Sequence, residues 1–461
     1  MIGKTGLWVV MVSTALSVAA GGPFAGQSRK DLACGRVTLE LSAGGQVLSA
    51  VNAAVGDVKT GKDENGNAFL RFRFQPTTEG ASVWLRVAGL HPRNWYVTVG
   101  GWTVGKWLDE ELEGGISLGV QKGGFVEISK HLVAKPADWD RWEPLYREIT
   151  SSLDGTLQPC YFWAPEKATS EPVPLVVGLH TWSGSWRDAG HYAPALDYAQ
   201  QHGWAMVGPN FRGPNKTPDG CGSEKAVQDI VDAVDYAKRQ VKIDEKRIYI
   251  VGGSGGGHMT LLMAGRHPEI WAGCAAFCPI TDVARWHADS LLHHPGRGKH
   301  YAKMLEQACG GTPAEKAGEY AARSPLAWLA RARAANVPVY IVTGIHDGWT
   351  GSVPVGHSFR AFNALADASD AVSEADIATI EETQAVPAAL AYTGAKDPFY
   401  PEKIRIHFRR TSANVRFTLF EGGHGGNYAA GFDFLSRQVK GRPADMTIPE
   451  QARGAEISLG K

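Results

Sequence analysis

The feature that most constrains this chain is a serine placed between a buried strand and a helix. Residues 247–259 read Arg-Ile-Tyr-Ile-Val-Gly-Gly-Ser-Gly-Gly-Gly-His-Met, and the apolar or β-branched run at 248–251 predicts a short buried strand. Apolar residues return at helical spacing from Met259. Strand, tight turn and helix, with Ser254 at the tip, form the context in which Gly-x-Ser-x-Gly predicts a nucleophile.

The turn itself has chemical requirements that its glycines meet. A serine on so tight a bend needs strained backbone angles and small residues two places before and after it, where Gly252 and Gly256 stand. The amide of Gly255 is expected to be one of two donors to an oxyanion. A glycine-rich turn could also cradle a phosphate, but no Lys-Ser/Thr pair follows and no acidic residue stands where a dinucleotide ribose needs one. An activated serine is therefore favoured.

Buried strands and amphipathic helices alternate after residue 149. Strand-like runs lie at 157–163, 174–180, 205–210, 274–277, 337–343 and 415–420. Between most of them lie helical stretches such as 223–240, where Val227, Ile230, Val231 and Val234 share one face. This alternation predicts an α/β unit with a mostly parallel sheet covered on both sides. Ligands of such sheets bind at the carboxyl ends of the strands.

An activated serine also needs a base and an acid that orients the base. Asp347 follows the predicted strand 337–343, and His424 follows the predicted strand 415–420. Both are expected at the carboxyl edge of the sheet, in the chain order Ser, acid, His that hydrolases of this architecture use. The alternative acid is Asp282, and the alternative bases are His180, His258 and His346.

The second oxyanion donor is expected from the loop after residues 174–180, as the backbone of Thr181 or Trp182. Aromatic rings on this side of the sheet could stack on sugars or aromatic groups, although such rings more often pack against their own loops. The tryptophans considered for this contact are Trp182, Trp186, Trp286 and Trp349. Arg212 is a further candidate for substrate contact.

Five motifs resemble the catalytic domain of prolyl oligopeptidase-type α/β-hydrolases, over roughly residues 149–440. They are Gly-Gly-Ser-Gly-Gly at 252–256, Asn-Phe-Arg-Gly at 210–213, Pro-Ile-Thr-Asp at 279–282, Gly-Ile-His-Asp at 344–347 and Gly-Gly-His at 422–424. The resemblance implies an α/β-hydrolase fold, a triad of Ser254, Asp347 and His424, and an acyl-enzyme route.

The chain departs from the peptidases of that family in three ways. They usually carry tyrosine directly after the serine, where Gly255 stands, and they reach a Val-Pro pair soon after the acid, whereas residues 348–352 intervene here. The region before Ile149 is also too short for their β-propeller. We therefore expect an ester, such as an acyl group on a small molecule or polysaccharide, in preference to a peptide bond. A serine peptidase and a non-catalytic binding protein are the alternatives.

The first 150 residues predict export and a β-module. Residues 1–20 combine Lys4, an apolar run and small residues near Ala19, as secretory signal peptides do, and the run is short for a spanning helix. Localisation in the periplasm or outside the cell would follow, with no membrane attachment after cleavage. Alternating strands predict a small β-sandwich over residues 30–133, and 136–148 is expected to be a linker.

Composition excludes some partners. Lysine plus arginine and aspartate plus glutamate both number 47, so no general field attracts nucleic acid or an anionic membrane. We expect no cofactor. We also expect no metal, because the spacing of the remaining histidine cluster matches no ligand pattern. That cluster consists of His287, His293, His294 and His300.

Two predictions remain open at the level of the sequence. Of the six cysteines, Cys221 and Cys309 are the most plausible disulfide pair, and free thiols are equally compatible. Cys274 and Cys278 lie about 13 Å apart on one strand, too far to pair. The long segment 367–401 either caps the site or is a surface excursion with its own packing. The aromatic residues that would touch substrate from a cap are Tyr392, Phe399 and Tyr400.

Overall fold

The computed structural model divides the chain into two compact units, Met1–Trp139 and Asp140–Lys461. It describes residues 139–293 and 298–450 continuously, together with the strands between residues 24 and 129 and residues 90, 108, 110 and 112 beside them. The predicted signal peptide at 1–20 and Cys34 lie outside the described residues. Among the described helices, none has the length and apolar character to cross a bilayer.

The first unit contains two five-stranded antiparallel sheets. Its strands are β1 (Phe24–Ala25), β2 (Arg36–Leu41), β3 (Gln46–Val51), β4 (Ala53–Lys62), β5 (Ala68–Pro76), β6 (Val83–Ala88), β7 (Trp95–Val99), β8 (Trp102–Trp107), β9 (Ile116–Leu118) and β10 (Gly124–Ser129). The sheet orders are β1-β2-β3-β6-β9 and β4-β5-β10-β7-β8. Leu48 and Leu85 of the first sheet share one hydrophobic core with Phe72 and Trp95 of the second, as expected of a small sandwich.

The second unit is organised by a nine-stranded sheet. Its strands are β11 (Tyr146–Thr150), β12 (Leu157–Trp163), β13 (Val173–Leu179), β14 (Ala205–Pro209), β15 (Ile243–Gly253), β16 (Gly273–Phe277), β17 (Val339–Gly344), β18 (Ile406–Ser412) and β19 (Val415–Phe420). The order is β11-β12-β14-β13-β15-β16-β17-β19-β18. The six strands from β14 to β19 in this order pair in parallel. The predicted α/β-hydrolase fold with a mostly parallel sheet is confirmed.

Helices connect most of these strands. In the described residues they are α1 (Trp139–Trp142), α2 (Ala193–His202), α3 (Glu224–Gln240), α4 (Gly255–Arg266), α5 (Val283–His293), α6 (Gly298–Cys309), α7 (Ala317–Ala322), α8 (Leu329–Ala334), α9 (Gly356–Leu365), α10 (Glu374–Thr383) and α11 (Tyr428–Ser436). Ser223 begins α3 as predicted, because its Oγ accepts a hydrogen bond from Ala226 N at 3.2 Å and satisfies one of the free amides of the first turn.

The central strands lie in the interior of the sheet because their sequences are almost continuously apolar. Strands β13, β14, β16, β17 and β19 are buried along their whole length, as in parallel sheets covered on both faces. Each fully buried Val, Leu, Ile or Phe side chain there contributes about 1.5–3 kcal/mol of transfer free energy. The sheet is therefore a rigid support for the loops that follow its strands.

The cysteines that lie in the described residues are all free. Cys160, Cys221, Cys274, Cys278 and Cys309 are buried thiols. Cys221 and Cys309 belong to one hydrophobic cluster, but the disulfide that we considered between them is not formed. The alternative of free thiols holds for this pair.

Candidate active site

Ser254 stands at the predicted bend between β15 and α4. Its backbone angles, φ 55° and ψ −116°, are seldom adopted by residues other than glycine. The bend is held by main-chain hydrogen bonds, because Ser254 N donates to Phe277 O at 2.8 Å and Ser254 O accepts from His258 N at 2.8 Å. The strained turn expected from the sequence is present.

Crowding explains the two glycines that flank the serine. A Cβ atom on Gly252 would lie 2.5 Å from the carbonyl carbon of Gly256, and a Cβ atom on Gly256 would lie 2.8 Å from His180 O. Backbone atoms cannot move aside as a flexible side chain can. The prediction that only small residues fit at these two positions is therefore confirmed.

Asp347 and His424 meet at the ends of the neighbouring strands β17 and β19. His424 Nδ1 lies 2.7 Å from Asp347 Oδ2, and Asp347 Oδ1 accepts from Gly348 N at 3.0 Å and Val353 N at 3.1 Å. The Asp347 side chain is fully buried, whereas that of His424 is 26% exposed. An ionised carboxylate only accepts hydrogen bonds, so Nδ1 carries the proton and Nε2 remains an acceptor.

The pKa of His424 reflects this pairing. Burial alone lowers the pKa of the imidazole, but the negative charge of Asp347 and the hydrogen bond to it raise the pKa well above its usual value. Asp347 thus stabilises the protonated form of the ring. A catalytic base that takes a proton from serine gains from such a partner.

Residues 348–352, the extra residues after the acid, wrap around this pair. A Cβ atom on Gly351 would overlap Asp347 Oδ1 and lie 2.5 Å from His424 Cβ. Trp286 Nε1 donates to Ser352 O at 2.7 Å and holds the loop from the other side. The loop therefore packs on the acid and the histidine, and it brings the amide of Val353 to the carboxylate.

Gly255 lies directly against the loop that was expected to supply the second oxyanion donor. A Cβ atom on Gly255 would overlap N and Cα of Trp182 and lie 2.9 Å from the carbonyl carbon of Thr181. The backbone of this loop thus occupies the space that a tyrosine at position 255 would need. Of the two residues considered, Trp182 is the one whose nitrogen meets Gly255.

The alternative acid, Asp282, and two of the alternative bases, His180 and His258, form hydrogen bonds with groups other than Asp347 and His424. Asp282 Oδ1 accepts from Arg285 N at 3.0 Å and caps α5. Both ring nitrogens of His180 contact backbone oxygens at 2.8 Å, and His258 Nε2 contacts Arg323 O at 2.7 Å. Burial lowers the pKa of each of these two histidines to about 4. Both histidines are therefore neutral, buried residues that contact backbone oxygens.

His346, the remaining alternative base, bridges the loops of the acid and the histidine. Its Nε2 lies 2.7 Å from Glu421 Oε1 and its Nδ1 lies 2.7 Å from Gln384 Oε1. The second oxygen of Glu421 lies 2.8 Å from His407 Nε2. This bridge was not foreseen, because Gln384 and His407 come from elements whose positions the sequence pattern did not indicate.

Of the four tryptophans considered for ring stacking, Trp349 alone is exposed. Its side chain is 56% exposed, and its Nε1 donates to Glu381 O at 2.8 Å. Trp182, Trp186 and Trp286 are buried, with Trp286 only 1% exposed. The Nε1 of the buried Trp286 donates to Ser352 O in the loop after Asp347, and substrate contact by Trp286 stays a prediction.

Arg212 belongs to a buried ion-pair cluster. Its side chain is 7% exposed, Nε donates to Asp229 Oδ2 at 2.5 Å, and the terminal nitrogens donate to Asp154 at 2.9 and 3.0 Å. We had considered Arg212 as a substrate contact. Its donors are instead committed to carboxylates within the fold, which argues against that role.

The segment 367–401 contains α10 and turns its aromatic residues inward. Phe399 and Tyr400 are 2% and 3% exposed, and Phe399 O accepts from Asn427 Nδ2 at 2.7 Å. Tyr392 OH donates to Ala395 O at 2.7 Å within the segment. Phe399 and Tyr400 are thus packed in the interior, whereas Glu381 and Gln384 of the same segment contact Trp349 and His346 beside Asp347. Both alternatives, a cap and a surface excursion, stay predictions.

The histidine cluster near α5 is partly described. His287 Nε2 lies 2.8 Å from Glu306 Oε1, and the rings of His300 and Tyr301 have centroids 6.4 Å apart. The side chain of His293 and the whole of His294 lie outside the described residues.

Cys278 lies beside Asp347 and His424. From the sequence alone, we consider this cysteine only for disulfide pairing. It directly follows β16, has φ 45°, and donates from Sγ to Gly425 O at 2.9 Å. Its Sγ, one oxygen of Asp347 and one nitrogen of His424 lie within 4.8 Å of one another. The sequence signal that could have placed Cys278 near this site is its position at the carboxyl end of β16, the strand next to β15.

Residues 198–382 match the prolyl oligopeptidase family. This range includes Ser254 and Asp347 and ends before His424. The resemblance of the sequence to this family is confirmed over these residues.

Esterases and peptidases both occur among the relatives. Feruloyl esterase B from Neurospora crassa is 30% identical over 133 residues, which are 26% of this chain and 44% of that protein. Dipeptidyl aminopeptidase BIII from Pseudoxanthomonas mexicana is 30% identical over 188 residues, 38% of this chain and 26% of that protein. Acetylxylan esterase A from Emericella nidulans is 24% identical over 155 residues, 31% and 50% respectively. The chain spans half or less of each of these relatives.

Proposed function

We propose that the second unit of this chain, whose residues 198–382 match the prolyl oligopeptidase family, is a serine hydrolase that cleaves carboxylic esters through Ser254. The observation that carries the proposal is the hydrogen bond between His424 Nδ1 and Asp347 Oδ2, 2.7 Å long, at the sheet edge where β15 ends directly before Ser254. A fixed, buried carboxylate on one side of an imidazole leaves the other nitrogen to act on a serine hydroxyl.

The reaction would proceed through an acyl-enzyme. Ser254 Oγ attacks the ester carbonyl carbon while His424 Nε2 accepts the hydroxyl proton. The amides of Gly255 and Trp182 stabilise the negative oxygen of the tetrahedral intermediate. His424 then donates the proton to the departing alkoxide. In the second half of the reaction water attacks the acyl carbonyl carbon while His424 accepts a proton from it, and His424 returns that proton to Ser254 Oγ as the carboxylic acid leaves. Asp347 stays ionised and stabilises the imidazolium throughout.

Three observations support an ester over a peptide bond. Two of the three relatives described above are named as a feruloyl esterase and an acetylxylan esterase. The backbone of Trp182 occupies the place of the tyrosine that the peptidases carry after the serine. Trp349, two residues after the acid, offers an exposed ring that suits an aromatic acyl group or a sugar. We infer an ester of a small molecule or an acylated polysaccharide as substrate.

A serine peptidase of the prolyl oligopeptidase type is the second candidate. It is favoured by the family match over residues 198–382 and by the dipeptidyl aminopeptidase among the relatives. The proposed triad and oxyanion donors would serve both reactions, because both pass through a tetrahedral intermediate.

A substrate comparison separates the two. Purified protein is offered methyl ferulate, acetylated xylan and a proline-containing peptide anilide, and kcat/KM is measured for each. We expect the esters to be turned over faster and Ser254→Ala to abolish turnover of all three. A larger kcat/KM for the anilide than for either ester would contradict the ester assignment.

We also propose that the chain is exported. The support is the basic start at Lys4 followed by the apolar run before Ala19 and Ala20, which has the form of a secretory signal. Expression in a bacterial host followed by mass measurement of the protein from the periplasm should give a chain that begins near residue 20 or 21. Recovery of uncleaved protein from the cytoplasm alone would contradict export.

A further inference from the structure

Three different metal-binding side chains converge beside the proposed nucleophile. The Sγ of Cys278, one nitrogen of His424 and one carboxylate oxygen of Asp347 all lie within 4.8 Å of one another. They come from the loops after three neighbouring strands, β16, β19 and β17. The sheet therefore fixes their spacing, and the group is not an accident of one flexible loop.

The spacing is close to that of a zinc site. With a Zn–S bond of about 2.3 Å and Zn–N and Zn–O bonds of about 2.0–2.2 Å, the donors of a tetrahedral site lie about 3.4–3.6 Å from each other. The longest separation in this group thus needs to shorten by up to about 1.2–1.4 Å. The 2.7 Å between His424 Nδ1 and Asp347 Oδ2 needs to lengthen by about 0.7–0.9 Å to accept the ion. Asp347 and Cys278 are each 2% exposed, and the His424 side chain is 26% exposed, which gives an ion a path from solvent.

We propose that Cys278, His424 and Asp347 form an inhibitory binding site for a thiophilic divalent cation, with Zn²⁺ as its probe. The thiol is the discriminating ligand. Sulfur and imidazole donors select zinc-like cations, whereas Mg²⁺ and Ca²⁺ prefer sites made of oxygen alone. The set of one sulfur, one nitrogen and one oxygen leaves the fourth position of the ion to water.

Binding of Zn²⁺ changes the protonation of its ligands but no oxidation state. The S–H bond of Cys278 breaks, a Zn–S bond forms, and the thiol proton leaves to solvent. The ion also takes the place of the Nδ1 proton between His424 and Asp347, and that proton moves to Nε2 as the imidazole changes tautomer. His424 and Asp347 are then committed to the cation, so the imidazole no longer accepts the proton of Ser254. Inhibition rests on the proposed function, but binding of the ion does not.

The direct test is calorimetric titration of Zn²⁺ into protein that carries Ser254→Ala, which removes turnover and leaves the three ligands in place. In this background we compare Cys278→Ala with Cys274→Ala, which removes a buried thiol of β16 that is not part of the group. We expect Cys278→Ala to weaken one zinc site by about tenfold or more and Cys274→Ala to leave it unchanged. Equal affinity in the two variants would overturn the proposal.

Two further measurements complete the test. Cys278→Ser keeps a donor for Gly425 O but replaces thiolate by a poor zinc ligand, so it should lose the same site even if the alanine variant does not fold. In protein with Ser254, Zn²⁺ should inhibit ester turnover, EDTA should restore it, and Ca²⁺ should have no effect. Inhibition of Cys278→Ser at the wild-type zinc concentration would contradict the site. A chain that binds zinc through Cys278 but hydrolyses no ester would refute only the proposed function.

Discussion

His424 Nδ1 lies 2.7 Å from Asp347 Oδ2, although 77 residues separate them in the sequence. The two meet because β17 and β19 are parallel neighbours in which Gly344 is paired with Phe420. Each strand ends just before the loop that carries one of the two side chains. The geometry of the pair is thus set by the sheet.

Replacing Asp347 with asparagine should lower kcat by roughly four orders of magnitude, because an amide no longer fixes the tautomer of His424 or stabilises its cation. The base must be unprotonated, so the rate rises with pH through the pKa of His424. That pKa is raised by the charge of Asp347, so the acid limb of the pH profile should move to lower pH in the variant. The measurement is kcat against pH.

Asp282→Asn is the matched control for Asp347→Asn. Asp282 was the other candidate acid and caps α5, so its replacement should change stability by about 1 kcal/mol or less and leave kcat within a few-fold. A larger loss of kcat in Asp282→Asn than in Asp347→Asn would show that Asp282, and not Asp347, is the acid of the triad.

Gly351→Ala should lower kcat although it replaces none of the proposed catalytic residues. The added methyl would overlap Asp347 Oδ1 and crowd His424 Cβ, so the hydrogen bond between acid and base must lengthen or tilt. Displacement of about 1 Å in a catalytic group can reduce the rate about 100-fold. The readout is kcat together with the thermal unfolding midpoint.

Gly318→Ala is its control, because nothing lies within 4 Å of the Cβ position there. In the helix α7 this change should raise stability by about 0.5–1 kcal/mol and leave kcat unchanged. If Gly351→Ala had wild-type kcat, the packing of the acid loop would not matter for the reaction.

Trp349→Ala should discriminate between substrates. The exposed ring can stack on an aromatic acyl group, so its loss should raise KM for methyl ferulate several-fold and change KM for a small acetyl ester little. Trp349→Phe should restore most of the difference. Equal effects on the two esters would show that the ring supports the loop, through its bond to Glu381 O, and does not contact substrate.

The ion pair between Asp154 and Arg212 should make stability fall in acid. The hydrogen bond from Arg212 holds the pKa of Asp154 well below its usual value. Such a carboxylate contributes stability that is complete above its unfolded pKa, about 3.9, and is lost as the pH falls through the lower folded value. The difference in free energy of unfolding between wild type and Asp154→Asn should therefore be larger in urea titrations at pH 7 than at pH 2. Equal differences at the two pH values would contradict this account.

The strands of the second unit could be predicted from the sequence where they are completely buried. The run at 415–420 coincides with β19 because both faces of that strand are covered and every residue is apolar or packed. The edge strands β11 and β18 were missed. They pair antiparallel at the borders of the sheet and carry charged residues such as Arg147 and Arg409, so no continuous apolar run marks them.

The positions of Ser254, Asp347 and His424 could be inferred because glycines mark the ends of buried strands. The surroundings of Arg212 and Trp286 could not. Arg212 is buried because Asp154, 58 residues away, accepts its hydrogen bonds, and Trp286 is fixed by Ser352, 66 residues away. Periodicity along the chain carries no information on such partners.

The most direct test of the central claim is the mass of the intact protein after treatment with a fluorophosphonate, which reacts with activated serines. We expect wild-type protein to gain the mass of one phosphonyl group, Ser254→Ala to gain none, and His424→Ala to react far more slowly. Equal labelling of Ser254→Ala, or no labelling of folded wild-type protein, would contradict that claim.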